Sequence, residues 1–193
     1  MKFPKTRPLF SRAALMAASV LLSLAVPKIS KAANYYWDSD GLATGNNSGT
    51  GAGLGGSSIW DDSTAKWWDG VSAADVAWPN QSSSADSVIF TGTAGTVTVG
   101  GSGGIFVRGL TFNTSGFVLA GDSSHALLLS SSSPSITLGT GVSQATIAAF
   151  LGGSNGFTFN GGASAGTLLL GATASGSNYN GCLLYTSPSP RDS

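Results

Sequence analysis

The residues with chemical potential are few and cluster early. Trp60, Asp61, Asp62, Trp67, Trp68 and Asp69 interleave indoles with carboxylates. An indole can stack on the C–H face of a sugar ring while a carboxylate accepts the ring's hydroxyls, so Trp60, Trp67 and Trp68 are the candidate glycan-stacking residues. The competing reading is a packed cap in which the rings are buried and the aspartates sit in solvated turns, and it is the one favoured for so many large apolar rings.

Other suggestive stretches lose their force on inspection. Asp122-Ser123-Ser124-His125 holds the residue types of a nucleophilic triad, but neighbours on one turn cannot build that geometry. Gly51-Ala52-Gly53-Leu54-Gly55-Gly56 matches the dinucleotide-binding glycine pattern by letter, without the strand before it or the helix after it, and reads as a flexible turn. Gly100-Gly101-Ser102-Gly103 lacks a liganding Asp at Gly104-Ile105. Trp37-Asp38-Ser39-Asp40-Gly41 lacks the bidentate Glu of a calcium loop, because the chain contains no Glu. Between Ser87 and Gly181 only Arg108, Asp122 and His125 are ionisable groups of catalytic type. A glycosidase needs two carboxyls flanking one bond. We therefore assign no catalytic, cofactor-binding or metal-binding residue and expect no cofactor.

These side chains must be positioned by a backbone of unusual composition. Only 9% of the 193 residues are charged, 41% are hydrophobic and 28 are Gly, whereas an ordinary soluble domain is about 25% charged. Residues 1–32 read as a secretory signal peptide: Lys2, Lys5, Arg7 and Arg12 precede an apolar run from Ala13 to Val26, and Ser30 and Ala32 are the small residues expected before cleavage at Ala33. From Ala33 to Gly181 the acids Asp38, Asp40, Asp61, Asp62, Asp69, Asp75, Asp86 and Asp122 face only Lys66 and Arg108. An acidic surface argues against nucleic acid and anionic membranes as partners. Residues 182–193 resemble the translation of a transposase-type sequencing adapter and are set aside with Cys182, so the natural chain is expected to continue beyond Gly181.

Residues 33–86 combine Trp37, Trp60, Trp67, Trp68 and Trp78 with Gly-, Ser- and Asp-rich turns, and predict an irregular N-terminal cap. From Ser87 a second regime begins. Ser87-Val88-Ile89-Phe90, Val97-Thr98-Val99, Ile105-Phe106-Val107, Leu110-Thr111-Phe112, Phe117-Val118-Leu119, Leu127-Leu128-Leu129 and Ile136-Thr137-Leu138 are short strands. Ile147 to Leu151, Phe157-Thr158-Phe159 and Thr167 to Leu170 continue the series, with Gly, Ser, Asn or Pro in nearly every gap. Several send alternate residues to one side. Starts recur about every ten residues, which suits a sandwich, a barrel or a solenoid. Two-residue hairpin signals are missing from most gaps, and this favours an all-β solenoid of stacked coils over residues 87–181, with an antiparallel β-sandwich as the alternative.

Three stretches resemble the autotransporter-associated β-strand repeat proteins of Gram-negative bacteria. Asp86-Ser87-Val88-Ile89-Phe90 is followed by Gly95-Thr96-Val97-Thr98-Val99. Leu110-Thr111-Phe112 and Gly116-Phe117-Val118-Leu119-Ala120-Gly121 are similar to that family's strand, turn, strand unit. Gly156-Phe157-Thr158-Phe159, Gly166-Thr167-Leu168-Leu169-Leu170 and Asn178-Tyr179-Asn180-Gly181 resemble its GLTK, GTLTLSG, NTYTG repeat. Phe159 stands where Lys is usual, and extra residues occupy 162–165. The resemblance implies a right-handed parallel β-helix in a secreted, non-enzymatic passenger of the cell surface or outer membrane, adhesin-like, with surface glycans or extracellular matrix as partners; it carries over no catalytic residue. The alternative function is a carbohydrate-binding module or the lead-in of a β-helix polysaccharide-degrading enzyme. An uncapped coil end is expected to self-associate end to end.

Overall fold

A computed structural model describes Met1, residues 32–83, 85–101, 103–122, 124–162 and 166–171, and the backbone of Leu183–Thr186. Residues 2–31 of the expected signal peptide, the expected repeat at Asn178–Gly181, and Cys182 with residues 187–193 of the tail lie outside the described residues.

Alternating apolar residues can bury one side of a strand only if another strand covers them, and here each layer is covered by the next turn of the same coil. Three faces form. The first stacks β1 (Asn34–Trp37), β5 (Ser87–Phe90), β8 (Gly109–Phe112), β11 (Ser135–Leu138), β14 (Phe157–Asn160) and β16 (Leu183–Thr186). The second stacks β2 (Ser58–Trp60), β6 (Thr96–Val99), β9 (Val118–Ala120), β12 (Gln144–Ile147) and β15 (Thr167–Leu170). The third stacks β7 (Ile105–Val107), β10 (Leu127–Leu129) and β13 (Leu151–Gly152). Every pairing within these three stacks is parallel. The chain is thus an all-β parallel solenoid, and the antiparallel sandwich is excluded.

Register repeats at Ser87, Gly109, Ser135 and Thr158, so one turn takes about 22 to 26 residues, inside the range of solenoid repeats. Three strands about ten residues apart make one turn. Inside the coil, like sits on like: Val88, Leu110, Ile136 and Phe159 form one ladder, and Phe90, Phe112 and Leu138 another. The Phe90 and Phe112 rings stack at 5.0 Å and 16°, close to the 4.7–4.9 Å spacing of neighbouring strands. Each such side chain, fully buried, contributes about 1.5–3 kcal/mol.

Residues 33–86 carry long turns and also enter the coil. β1 lies in parallel register under β5, pairing Asn34 with Ser87, and β2 lies under β6, pairing Ser58 with Val97. On the other side of β1 the pattern changes: β3 (Ala65–Trp68) and β4 (Val76–Ala77) add antiparallel. The glycine run that reads as a flexible turn is instead packed between layers. Gly55 bridges Asp38 and Thr93, and Leu54 is buried. A Cβ at Gly92, whose φ is +79°, would lie 2.3 Å from the carbonyl oxygens of Gly51 and Leu54, so only glycine fits this seam.

Among the described residues no strand lies beneath β7 on the third face, and side chains close that edge. Asn80 Oδ1 accepts from the Phe106 N–H at 2.8 Å, Asn80 Nδ2 donates to Gly104 O at 3.1 Å, and Trp78 Nε1 donates to Phe106 O at 3.1 Å. One carboxamide therefore imitates the donor and acceptor of a missing strand. Asn80 holds the left-handed φ of 48° that asparagine tolerates better than most residues.

Candidate functional site

The tryptophans converge because β1, β2 and β3 each send an indole to the axis of the coil, and Trp78 follows β4. Ring centroids lie 4.9 Å apart for Trp37 and Trp67, 4.8 Å for Trp60 and Trp67, 5.2 Å for Trp60 and Trp78, and 4.9 Å for Trp67 and Trp78. Phe90 of the next layer touches the cluster 6.1 Å from Trp60 and 6.4 Å from Trp67. The three candidate glycan-stacking residues belong to this cluster or flank it. Trp60 and Trp67 are 0% exposed and Trp68 is 7% exposed, so none of the three offers a face on which a sugar ring can lie. Trp68 is tied down by Nε1 donating to Ser72 O at 2.8 Å and by Tyr36 at 5.8 Å. The indoles form the hydrophobic plug of the coil's first turns.

The aspartates beside them serve their own turns. Asp61 Oδ1 accepts from the backbone N–H groups of Ser63 at 2.8 Å and Thr64 at 2.7 Å. Burial works to raise the pKa of Asp61, but these bonds hold it below the ordinary value. Asp69 is held low by the Ser72 hydroxyl and by the N–H groups of Ser72 and Val71. Both carboxylates are spent on turn geometry.

A different acidic pair carries the strongest electrostatic anomaly: Asp38, met in the sequence only within the rejected calcium-loop stretch, and Asp75, which the sequence reading did not single out. Asp38 is 0% exposed. Its Oδ2 accepts from Asn46 Nδ2 at 2.6 Å and its Oδ1 from the Asp40 N–H at 3.2 Å. Both oxygens of Asp75 are buried without a hydrogen-bond donor. Burial, then the negative charge of Asp38, pushes the Asp75 carboxyl up to about 7, and burial raises Asp38 as well. Protonated, Asp75 gains a donor to offer Asp38, which adds to the rise that burial causes. Lys66 does not neutralise it, since its Nζ donates to Ser39 O at 2.8 Å and Ser58 Oγ at 2.6 Å. Among the described residues no group of three or more His, Cys, Asp or Glu side chains is arranged to hold a metal ion.

On the flank of the coil, His125 Nδ1 lies 2.8 Å from Asp122 Oδ1, with both side chains exposed. Asp122 is lowered chiefly by that hydrogen bond. Ser123 lies outside the described residues. Arg108, at the corner between β7 and β8, projects beside the corner of the next turn, where Ser130, Ser131 and Ser132 follow β10. With Ser83 and Ala85 they line an open notch of about 240 Å³. A guanidinium among hydroxyls is a donor-rich surface suited to acidic groups.

No protein-family model matches the chain, and no solved structure matches it. The chain is similar to the Adhesin BmaC autotransporter of Brucella suis biovar 1 (strain 1330), at 40% identity over 141 residues, which is 72% of this chain. The matched stretch spans 4% of that relative's length.

Proposed function

We propose that this chain is part of the passenger region of a Gram-negative surface protein: a secreted, non-enzymatic, adhesin-like rod of the autotransporter-associated repeat type. One observation carries the reading. A parallel solenoid with a glycine-, serine- and threonine-rich exterior has a 40% identical counterpart in an autotransporter adhesin. Physics supports it. Stacked coils give a long stiff surface from little sequence variety, and the layers direct their apolar residues inward, leaving few ionisable groups outside. The reading includes surface glycans or matrix proteins as partners, a chain that is a fragment of a longer passenger, and end-to-end association through coil ends.

The test is adhesion. The full chain displayed on a Gram-negative host should raise binding to matrix- and glycan-coated wells several-fold over the host alone. Unchanged binding contradicts the adhesin reading, and release of new reducing ends from a polysaccharide during the same incubation contradicts the non-enzymatic one.

A further inference from the structure

Asp86 is 6% exposed and sits one residue before β5. Its Oδ1 accepts a hydrogen bond from the backbone nitrogen of Ala33 at 2.7 Å. The sheet locks this contact in place. Ser87 N donates to Ala33 O at 2.9 Å, Asn34 pairs with Ser87, and Arg108 N donates to Asp86 O at 2.8 Å. With a neutral amide as partner, a buried carboxylate is poorly compensated. Burial raises the Asp86 pKa, and the Ala33 bond offsets this in part. Ala32, the residue before the contact, lines the open notch beside Arg108, so the chain reaches Ala33 from the surface.

The small residues Ser30 and Ala32 mark the Ala32–Ala33 bond as the expected end of the leader. We infer that this bond is the processing site and that the α-ammonium released on Ala33 closes a buried ion pair with Asp86, so that leader removal completes the first layer of the coil. The inference rests on the secretion proposed above. A leader peptidase adds water across the amide: the C–N bond breaks, the hydroxyl joins the Ala32 carbonyl carbon to give the leader's carboxylate, and the nitrogen takes up protons to become an ammonium. The nitrogen already lies at hydrogen-bond distance, so pairing needs no movement of the backbone. The other charged or titratable groups around the pair are Tyr35 on β1, whose pKa is raised by burial and then by the charges of Asp86 and Asp69, and Arg108 across the corner.

The two forms differ in pH dependence. In the uncut chain, the raised Asp86 pKa gives stability that is present below its ordinary value of 3.8 and lost as pH rises. In the cut chain the α-amine pKa is the raised one, so its contribution persists at neutral pH and is lost only above about 8, as pH climbs through the folded value.

The experiment is to export the full chain from a Gram-negative host, determine its N-terminus by intact mass and sequencing, and titrate the α-amine by NMR after isotopic reductive methylation. The expected result is a chain beginning Ala33-Asn34-Tyr35 whose α-amine binds its proton about tenfold more tightly folded than in urea, one pH unit. Asp86→Asn should abolish the difference and Asp86→Glu retain it. If Asp86→Asn does not fold, the wild-type comparison of folded and urea-unfolded chain decides alone. A different N-terminus, or an α-amine with its ordinary pKa in the folded chain, overturns the inference and leaves the surface reading standing. A chain cut at Ala33 that does not adhere does the reverse.

Discussion

The cap and the coil of this molecule are held together by different physics. From β5 to β15 each layer repeats the one below, so stability accumulates from equivalent parallel ladders of Val, Leu, Ile and Phe, and the loss of one methyl group is a local event. In the cap β1 and β2 continue the parallel stacks, but β3 and β4 do not. Trp37 meets Trp67 and Trp60 meets Trp78 edge to face, two strands run antiparallel, and two carboxyls share a buried environment. A solenoid's interior can be built from a rule, whereas its end needs singular parts, because there the apolar layer has no neighbour and must be plugged.

The comparison breaks most sharply at Trp67, which touches Trp37, Trp60, Trp78 and Phe90. Trp67→Ala should cost about 3–5 kcal/mol in denaturant titration and collapse the near-ultraviolet dichroism of the ring cluster. At the seam between the regions, Gly92→Ala should cost about 1–3 kcal/mol or more, since the new Cβ meets two backbone carbonyls in a left-handed conformation. Within the coil, Ile136→Val should cost only about 0.5–1.5 kcal/mol and leave the aromatic signal unchanged. If Ile136→Val were as damaging as Trp67→Ala, the distinction between rule-built coil and singular plug would fail.

The last effect is a pH dependence confined to the cap. Because the folded pKa of Asp75 is raised from 3.8 to about 7, its contribution is full below about pH 4 and lost as pH rises through 7. The melting temperature should therefore drift down between pH 5 and pH 8. Asp75→Asn should flatten that drift and make the chain more stable than its parent at pH 8. An unchanged slope in Asp75→Asn would place the sensitivity elsewhere.

What could be read from the sequence divides along the same line. The strands after Ser87 were legible because Val97 and Val99, or Ile136 and Leu138, alternate with small polar residues, and burial follows that alternation residue by residue. Parallel stacking was legible from the missing hairpin turns. The cap was not legible in detail. Asn34-Tyr35-Tyr36-Trp37 has no period, and its parallel pairing with a strand more than 50 residues later depends on contacts that no local pattern encodes. The sequence favoured a packed cap over a sugar platform at Trp60, Trp67 and Trp68, but the pairings that bury those rings, β2 under β6 and β3 antiparallel to β1, were not legible. Asp75 lies in an unremarkable Ala73-Ala74-Asp75-Val76 stretch, so only its three-dimensional surroundings reveal the raised pKa.

Strand direction in the coil tests the account most directly, through inter-strand contacts in the NMR spectra of the isotopically labelled chain. Parallel layers in the register described here place Leu110 beside Ile136 and Phe112 beside Leu138, with Val88 and Phe90 on the other side of the same strand. Contacts between Leu110 and Leu138 and between Phe112 and Ile136 would instead mean antiparallel pairing, and the coil would be wrong.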